Sequence, residues 1–356
     1  MQAGLEGIVV AETILSHAEP ERGMLWVRGR SVGELPPLGY EGTVALLWDG
    51  FAGRDLTRGG MTESFGAARR DAFARLNASL PAIAAQPLDV AVRIGLAALS
   101  DDTAPAAIPA TLAVLVPAFL RAAAGKPLVP PEPSLPMAAD LLRMLHGAAP
   151  DAARAAALDA YFAAMAESGM SASAFAGRVV ASTHASLVAA VLAAFCAFTG
   201  PLHGGAPGPT LDMLDAAAAA DAAGDLDLWI ERKLDSGERL MGFGHRVFRG
   251  NDPRAAAIRA ALQHMEPGAS RLDFAGRLEA RVAAAVERLK PGRKLPANVE
   301  VMAALLLDAV GIPREAFTAT FAITRSAGWI AHALEQRQTG RMMRPASEYV
   351  GPLTKP

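Results

Sequence analysis

Most of the chain carries hydrophobic residues at the spacing of an α-helix. Residues 271–289 (RLDFAGRLEARVAAAVERL) place leucines and valines on one stripe and arginines and glutamates opposite, as in an amphipathic helix beside a core. Residues 151–167 are almost all good helix formers. Residues 298–310 are hydrophobic nearly all round, which predicts a buried helix. Residues 318–338 predict another long helix.

Proline and glycine separate these helical segments, and few stretches resemble strands. The longest apolar stretches, residues 104–120 and 185–198, are interrupted by prolines or shorter than the roughly 20 residues of a membrane span, so we expect buried helices and no membrane segment. Strands are plausible only at residues 7–10 and 24–28. The proline-rich residues 125–136 are either a domain linker or an ordered loop, and the helical pattern directly after them favours the loop.

Composition narrows the class of protein. A length of 356 residues allows one large domain or two moderate ones, and a chain that is 52% hydrophobic and 20% charged can bury a sizeable core. The net charge of −2 leaves no basic excess for nucleic-acid binding. The single cysteine, Cys196, lies in an apolar helical run, where we expect burial and poor reactivity. Because the first residues lack the pattern of a signal peptide, we expect a cytoplasmic protein.

Two histidines in glycine-rich surroundings are the strongest functional signal. His203 lies in GPLHGGA and His245 in GFGHRVFRGNDPR, which also contains Arg246, Arg249 and Arg254. Glycine lets the backbone approach a ligand closely, histidine moves protons near neutral pH, and arginine binds carboxylates and phosphates. The two segments therefore predict a site where an anionic substrate meets acid–base groups. The alternative is that both segments are loops that end helices and carry a histidine by chance. This is less expected for two such segments than for one.

Eight segments follow one another along the chain: GLEGIVVAETILSHAEPERGMLWVRGR, LLRMLHG, SASAFAGRVVAST, GPLHGGA, MGFGHRVFRGNDPR, LPANVE, FAITRSAGWIAHALEQ and RMMRPASEYVG. In this order they resemble the citrate synthase family. The resemblance implies an all-α, two-domain fold. A large domain would comprise residues 1–204 and 309–356, and a smaller domain, residues 205–308, would close over the substrates with His203 at the hinge.

The same resemblance implies an activity. The family joins an acyl-CoA, usually acetyl-CoA, to a 2-oxo acid, usually oxaloacetate, and releases free CoA, so the chain would be an acyltransferase. The CoA thioester enters as a substrate, and the family requires neither a metal nor a tightly bound cofactor. It works as a homodimer in which each active site is completed by the partner chain.

Site roles follow residue by residue from the resemblance. His203 would hydrogen-bond the thioester oxygen as the enol forms, which is oxyanion-type stabilisation. His245 would polarise the 2-oxo group and protonate the new alkoxide. Arg254 and Arg325 would bind carboxylates of the oxo acid, and Arg344 would do so in the neighbouring subunit. The alternatives are capping or core roles for the histidines and a structural ion pair for Arg325.

Two further arginines and one aspartate have weaker assignments. Arg246 and Arg249 lie where the family contacts CoA phosphates, although an ordinary solvated surface explains them nearly as well. Asp252 is expected to orient its loop and Arg254 rather than to take part in the chemistry.

Two positions depart from the family pattern. Glu300 stands in NVE where the family has its aspartate base, so the carboxylate is kept but reaches one methylene further, and general-base efficiency depends on geometry. Asp308, near the helix end, is a poor substitute. Ser168 and Ser171 replace a histidine and an asparagine, and that histidine binds oxaloacetate in the family. We therefore expect a different 2-oxo acid or weaker binding of oxaloacetate.

Several functions stay open on the sequence alone. The leading hypothesis is condensation of acetyl-CoA with oxaloacetate. A 2-methylcitrate synthase that uses propionyl-CoA is the nearest variant. Propionyl-CoA differs from acetyl-CoA by one methylene group, and a hydrophobic pocket discriminates such a difference by only about 1–3 kcal/mol. A non-catalytic dimer that binds CoA or carboxylates is the competing class, and cleavage of a citryl-CoA-like thioester would use the same site.

Overall fold

The chain folds into a mostly helical molecule with one small β-sheet. The computed structural model describes residue 5 and residues 7–200, 203–204, 207–244, 252–265 and 268–352, without the side chains of residues 77–79, 81–82 and 268–270. The α-helices in these ranges are α1 Gly39–Trp48, α2 Arg58–Ile83, α3 Leu88–Ala97, α4 Ala107–Ala123, α5 Met137–His146, α6 Ala152–Met165, α7 Ala172–Ala181, α8 Leu187–Phe198, α9 Pro207–Ala222, α10 Leu226–Asp235, α11 Pro253–Leu262, α12 Gly268–Leu289, α13 Val299–Ala309 and α14 Phe317–Thr339.

The helices predicted from hydrophobic spacing are confirmed. Helices α6, α8, α12, α13 and α14 coincide with the predicted segments to within a few residues. Residues 104–120 form α4 in spite of their prolines. Pro109 lies in its first turn, where a backbone N–H has no helical acceptor. Pro117 lies inside α4 among buried residues, so packing outweighs the roughly 3 kcal/mol that an interior proline costs.

One predicted strand is confirmed and the other is wrong. The sheet consists of β1 Ser16–Glu19, β2 Met24–Val27 and β3 Arg30–Ser31, all antiparallel, with Ser16 opposite Val27. Strand β2 is the predicted strand at residues 24–28. Residues 7–10 form no strand, because they form no ladder with another described segment and leave Val9 86% exposed.

Helix α14 is the buried axis that positions the site. It packs against α1, α4, α6, α7 and α8, and nearly all its residues are buried. Trp48 and Tyr40 of α1 donate hydrogen bonds to its backbone, at 2.9 Å to the Ala327 oxygen and 3.2 Å to the Ile323 oxygen. Gly328 permits this packing, because a Cβ there would lie 2.4 Å from the Ala166 carbonyl oxygen.

The proline-rich residues 125–136 form an ordered loop, as the pattern after them favoured. The buried Arg69 guanidinium donates to the carbonyl oxygens of Glu132, at 3.3 Å, and Leu135, at 2.6 Å. Its Nε also lies 2.8 Å from Oδ2 of Asp140, and both side chains are fully buried. A buried arginine is tolerated only when it is paired and hydrogen-bonded. This pair therefore fixes the loop against α2 and α5.

The expected burial of Cys196 is wrong. Its thiol is exposed, although Ala194, Phe195 and Phe198 in the same helix are buried. At 100° per residue, position 196 falls on the face of α8 that points away from the core.

Helices α9 to α13 are joined at their surface by arginine–carboxylate pairs. Exposed pairs of this kind contribute little stability each, but several together orient neighbouring helices. The pairs between α12 and helices α9 and α10 are Arg271–Asp215, Arg277–Asp221, Arg281–Asp227 and Arg288–Glu231. Division of the molecule at residues 205 and 308 stays a prediction. None of the described helices has both the length and the apolar character needed to cross a bilayer.

Candidate active site

His203 follows α8 and faces the start of α7. Its Nε2 lies 2.8 Å from the Ser173 hydroxyl and 3.3 Å from the Ser173 backbone nitrogen. Because a backbone N–H can only donate, Nε2 is the acceptor, and the neutral ring is assigned its proton on Nδ1. Trp329 Nε1 donates to the same hydroxyl at 3.1 Å, which leaves the Ser173 proton for His203.

The surroundings of His203 keep it neutral. Burial lowers its pKa to about 4, and the positive charge of Arg325 acts in the same direction. The ring also packs edge-on against Phe198, with centroids 5.3 Å apart. Gly204 is needed for this approach, because a Cβ there would lie 2.5 Å from the Phe198 ring. His203 can therefore donate a hydrogen bond from Nδ1 at neutral pH without carrying a charge.

Arg325 brings a buried positive charge to the site from α14. It is 4% exposed, and its Nη2 donates to the Ser168 hydroxyl. Its Nε has no hydrogen-bond partner among the described residues. The guanidinium carbon lies 5.5 Å from the centre of the Phe321 ring. Burial lowers the Arg325 pKa to about 10, so the side chain remains charged at neutral pH.

Arg254 and Asp252 form a buried pair at the start of α11. Asp252 caps the helix by accepting the Arg254 N–H at 3.1 Å, and it also accepts from Arg254 Nε at 2.9 Å and Nη2 at 2.6 Å. Both residues are less than 10% exposed. The expectation that Asp252 orients Arg254 is confirmed. The bidentate pair fixes the guanidinium plane, and such planes recognise carboxylates.

Glu300 begins α13 and presents a carboxyl group in an unusual state. Asn298 caps the helix, with its Oδ1 accepting the Glu300 N–H at 2.9 Å and its Nδ2 donating to the Gly244 oxygen at 2.7 Å. Glu300 Oε2 is buried and has no hydrogen-bond partner in the described part of the chain. Burial raises the Glu300 pKa to about 7, and Arg254 only partly offsets this. A carboxyl group with a pKa near the working pH is suited to general-base chemistry.

A second feature is a cavity of about 390 Å³ next to this region. Arg239, Lys290 and Arg293 give it positive charge, and leucine, valine and phenylalanine side chains give it an apolar wall. Arg239 also acts electrostatically on Glu300, so the cavity adjoins the site. The complete lining is Leu234, Gly237, Glu238, Arg239, Leu240, Phe243, Gly244, Val286, Lys290, Arg293 and Leu295.

Not every residue predicted from the sequence can be placed in this cluster. Five of them share one electrostatic neighbourhood, namely Ser168, His203, Arg254, Glu300 and Arg325. Arg344 lies exposed in the C-terminal segment, and no hydrogen bond or ion pair between described residues joins it to them. His245, Arg246 and Arg249 fall outside the described residues. In the described ranges, no three His, Cys, Asp or Glu side chains are grouped to hold a metal ion.

Sequence reasoning missed three kinds of residue at the site. Ser173 orients His203, and its only signal was its place in SASAF beside the aligned Ser171. Tyr161 of α6 is buried and interacts electrostatically with Glu300, Arg325 and Arg254. The cations of the cavity come from two segments far apart in the chain, Arg239 after α10 and Lys290 and Arg293 after α12, so no local motif marks them.

Comparison with known proteins gives a consistent picture. The sequence matches the family described as "Citrate synthase, C-terminal domain" over residues 4–346. It is 45% identical over 203 residues to "Putative citrate synthase 2" of Mycobacterium bovis, a match that covers 57% of this chain and 53% of that protein. The chain thus spans about half the length of that relative.

Other relatives match over nearly their whole length. A citrate synthase of Haloferax volcanii is 33% identical, with 99% of this chain and 96% of that protein covered. A 2-methylcitrate synthase of Mycobacterium tuberculosis is 32% identical, with 99% and 91% covered. The crystal structure of citrate synthase from Thermotoga maritima superposes with a TM-score of 0.85 at 27% identity, covering 99% and 97% of the two chains. With a family match across residues 4–346 and full-length relatives above 30% identity, the chain belongs to the citrate synthase family.

Proposed function

We propose that this protein condenses an acyl-CoA with a 2-oxo acid and releases CoA, with acetyl-CoA and oxaloacetate as the leading pair. The observation that carries the proposal is the Glu300 carboxyl group. Its Oε2 is buried and has no hydrogen-bond partner among the described residues, its pKa is raised to about 7, and it lies among two buried arginines and a neutral histidine. The names of the citrate synthase relatives support the same reaction.

Each side chain has a definite task in this reaction. Glu300 removes a proton from the α-carbon of the thioester, while the Nδ1–H of His203 hydrogen-bonds the thioester oxygen and stabilises the enol. Arg254 and Arg325 hold carboxylates of the oxo acid, and Ser168 orients Arg325. The α-carbon then bonds to the keto carbon, and His245 gives a proton to the keto oxygen. Water cleaves the thioester to release CoA.

The basic cavity beside the site is the proposed place of the CoA nucleotide. Its three cations suit phosphate groups, and its apolar wall suits an adenine ring. Arg246 and Arg249, the arginines predicted from the sequence, would add phosphate contacts beyond Gly244. Replacement of Lys290 by alanine should raise the KM for acetyl-CoA. Lys294→Ala is the matched control, because Lys294 is an exposed neighbour that does not line the cavity.

Assembly and domain closure belong to the same proposal. Residues 205–308 would form the smaller domain that closes over both substrates. The protein would act as a cytoplasmic homodimer, with the exposed Arg344 of one chain completing the oxo-acid site of the other. Neither a metal nor a resident cofactor takes part, since Glu300 and His203 supply the proton transfer and the oxyanion contact.

Two substrate variants have specific support. The full-length relative named 2-methylcitrate synthase favours a test of propionyl-CoA. Ser168, which binds Arg325 where the family pattern has a histidine, favours a test of other 2-oxo acids.

The experiment is thiol release followed with a thiol reagent, using acetyl-CoA and propionyl-CoA against a panel of 2-oxo acids. Turnover that disappears in Glu300→Ala supports the proposal, and the productive pair identifies the substrates. CoA or oxaloacetate that raises the melting temperature without any thiol release would instead establish a protein that only binds these ligands.

A further inference from the structure

Tyr161 is a buried tyrosine whose hydroxyl has no partner. Its side chain is 0% exposed, and its hydroxyl oxygen makes no hydrogen bond with any described residue. Leaving a buried hydroxyl unsatisfied destabilises a protein, and phenylalanine would fill the same space without that cost. A tyrosine at this position therefore calls for a partner outside the described residues, such as a bound ligand.

The surroundings of Tyr161 are those of the proposed active site. Helix α6 packs directly against α11, α13 and α14, the helices that carry Arg254, Glu300 and Arg325. The Tyr161 ring centre lies 6.3 Å from that of Phe321, and the Arg325 guanidinium carbon lies 5.5 Å from the same Phe321 ring. The tyrosine thus reaches the site from the side of α6.

Two more unpartnered polar atoms belong to the same neighbourhood. They are Oε2 of Glu300 and Nε of Arg325, both buried and without hydrogen-bond partners in the described ranges. Tyr161, Glu300 and Arg325 also act electrostatically on one another. Three such atoms in one neighbourhood indicate a place for a polar ligand, because native proteins leave few buried polar groups unsatisfied.

The chemistry of the three atoms defines that ligand. Burial raises the pKa of Tyr161, so its hydroxyl stays protonated and can donate. Arg325 Nε can only donate, and Glu300 supplies the acceptor. Two donors beside the positive charges of Arg325 and Arg254 suit an oxygen-rich anion.

We propose that the Tyr161 hydroxyl donates a hydrogen bond to the anionic 2-oxo acid held beside Arg325, which makes Tyr161 a substrate-binding residue of this enzyme. The inference rests on the proposed function for the identity of the anion. It adds a neutral donor to the arginines, and it assigns a role to a hydroxyl that bonds to none of the described residues.

The test compares Tyr161→Phe with Tyr40→Phe. Both tyrosines are fully buried, but the Tyr40 hydroxyl has a structural acceptor, the Ile323 oxygen at 3.2 Å. For Tyr161→Phe we expect the KM for oxaloacetate to rise by about tenfold to a hundredfold, as for loss of a hydrogen bond to a charged group. The KM for acetyl-CoA should change less than about twofold, and the melting temperature should equal or exceed that of the wild type.

Tyr40→Phe should show the opposite pattern, a lower melting temperature with both KM values unchanged. Direct titration of oxaloacetate by calorimetry separates this inference from the proposed function. If the wild type binds oxaloacetate without releasing CoA, the proposed function fails, and the Kd of Tyr161→Phe still decides the role of the hydroxyl. An unchanged Kd and KM in Tyr161→Phe, or a loss of stability like that of Tyr40→Phe, would overturn the inference.

Discussion

Replacing Glu300 by glutamine should stabilise the protein while lowering its activity by at least about a hundredfold. The change removes a buried carboxyl group whose pKa burial raises from an ordinary 4.5 to about 7. A carboxyl group with a raised pKa in the folded state binds its proton more tightly there than in the unfolded chain. The wild type therefore gains stability as the pH falls from above 7 towards 4.5, and loses it as the pH rises.

The size of the effect follows from the two pKa values. Their difference of 2.5 corresponds to about 3 kcal/mol at alkaline pH, an upper value because the Glu300 residue as a whole is half-buried, although its Oε2 is buried. Glutamine is uncharged at every pH. We therefore expect Glu300→Gln to exceed the wild type by up to about 3 kcal/mol at pH 8 and by less than about 1 kcal/mol at pH 5.

Urea unfolding at pH 8 and pH 5 measures this difference. Asp308→Asn is the matched control, because Asp308 lies on the same helix, has a side chain that is 38% exposed and pairs with Arg271. Its removal should leave stability unchanged or slightly lower at both pH values. A Glu300→Gln protein that is no more stable than the wild type at pH 8 would refute the reasoning.

Three further predictions use the same geometry. Because Glu300 must be ionised, kcat/KM should fall about tenfold per pH unit below roughly pH 7. A profile that stays flat from pH 9 down to pH 5 would contradict this. Gly204→Ala places a methyl group 2.5 Å from the Phe198 ring and should lower both kcat and melting temperature. The control Gly276→Ala, with open space at its Cβ, should leave both unchanged or slightly raise stability. Asn298→Ala removes the α13 cap, so the free energy of unfolding in urea should fall by about 1 kcal/mol and the KM for acetyl-CoA should rise. An unaltered denaturation midpoint and KM would show that the cap is dispensable.

The helices were predictable because their signal is local. Helices α12, α13 and α14 carry an apolar stripe or a continuous apolar surface, which specifies a helix without knowledge of its neighbours. Strand β1 was missed because SHAE lacks alternation and becomes a strand only by pairing with β2. Residues 7–10 were wrongly predicted as a strand because they are apolar, but they pair with no strand in the described part of the chain. The exposure of Cys196 was unpredictable for a similar reason. The sequence of α8 is apolar on all sides and does not indicate which face lacks a packing neighbour.

The site was predictable where motifs carry it. His203, Arg254, Arg325 and Glu300 each lie in a segment that resembles the family, and the structure brings them into one neighbourhood. Tyr161 could not be found in this way, because a tyrosine within a helical pattern indicates only a core residue. Its role follows from the structure, in which its hydroxyl has no hydrogen-bond partner among the described residues. The raised pKa of Glu300 likewise depends on burial by several helices. The roles of His245, Arg246, Arg249 and Arg344 stay predictions.

The central claim is that Glu300 is the base of a condensation that releases CoA. Its most direct test is the initial rate of CoA release from acetyl-CoA and oxaloacetate at pH 8 in the wild type, Glu300→Gln and Asp308→Asn. We expect the wild type and Asp308→Asn to turn over at similar rates and Glu300→Gln to lose at least about a hundredfold, the lower range for a general base. Equal rates in the wild type and Glu300→Gln would contradict the claim.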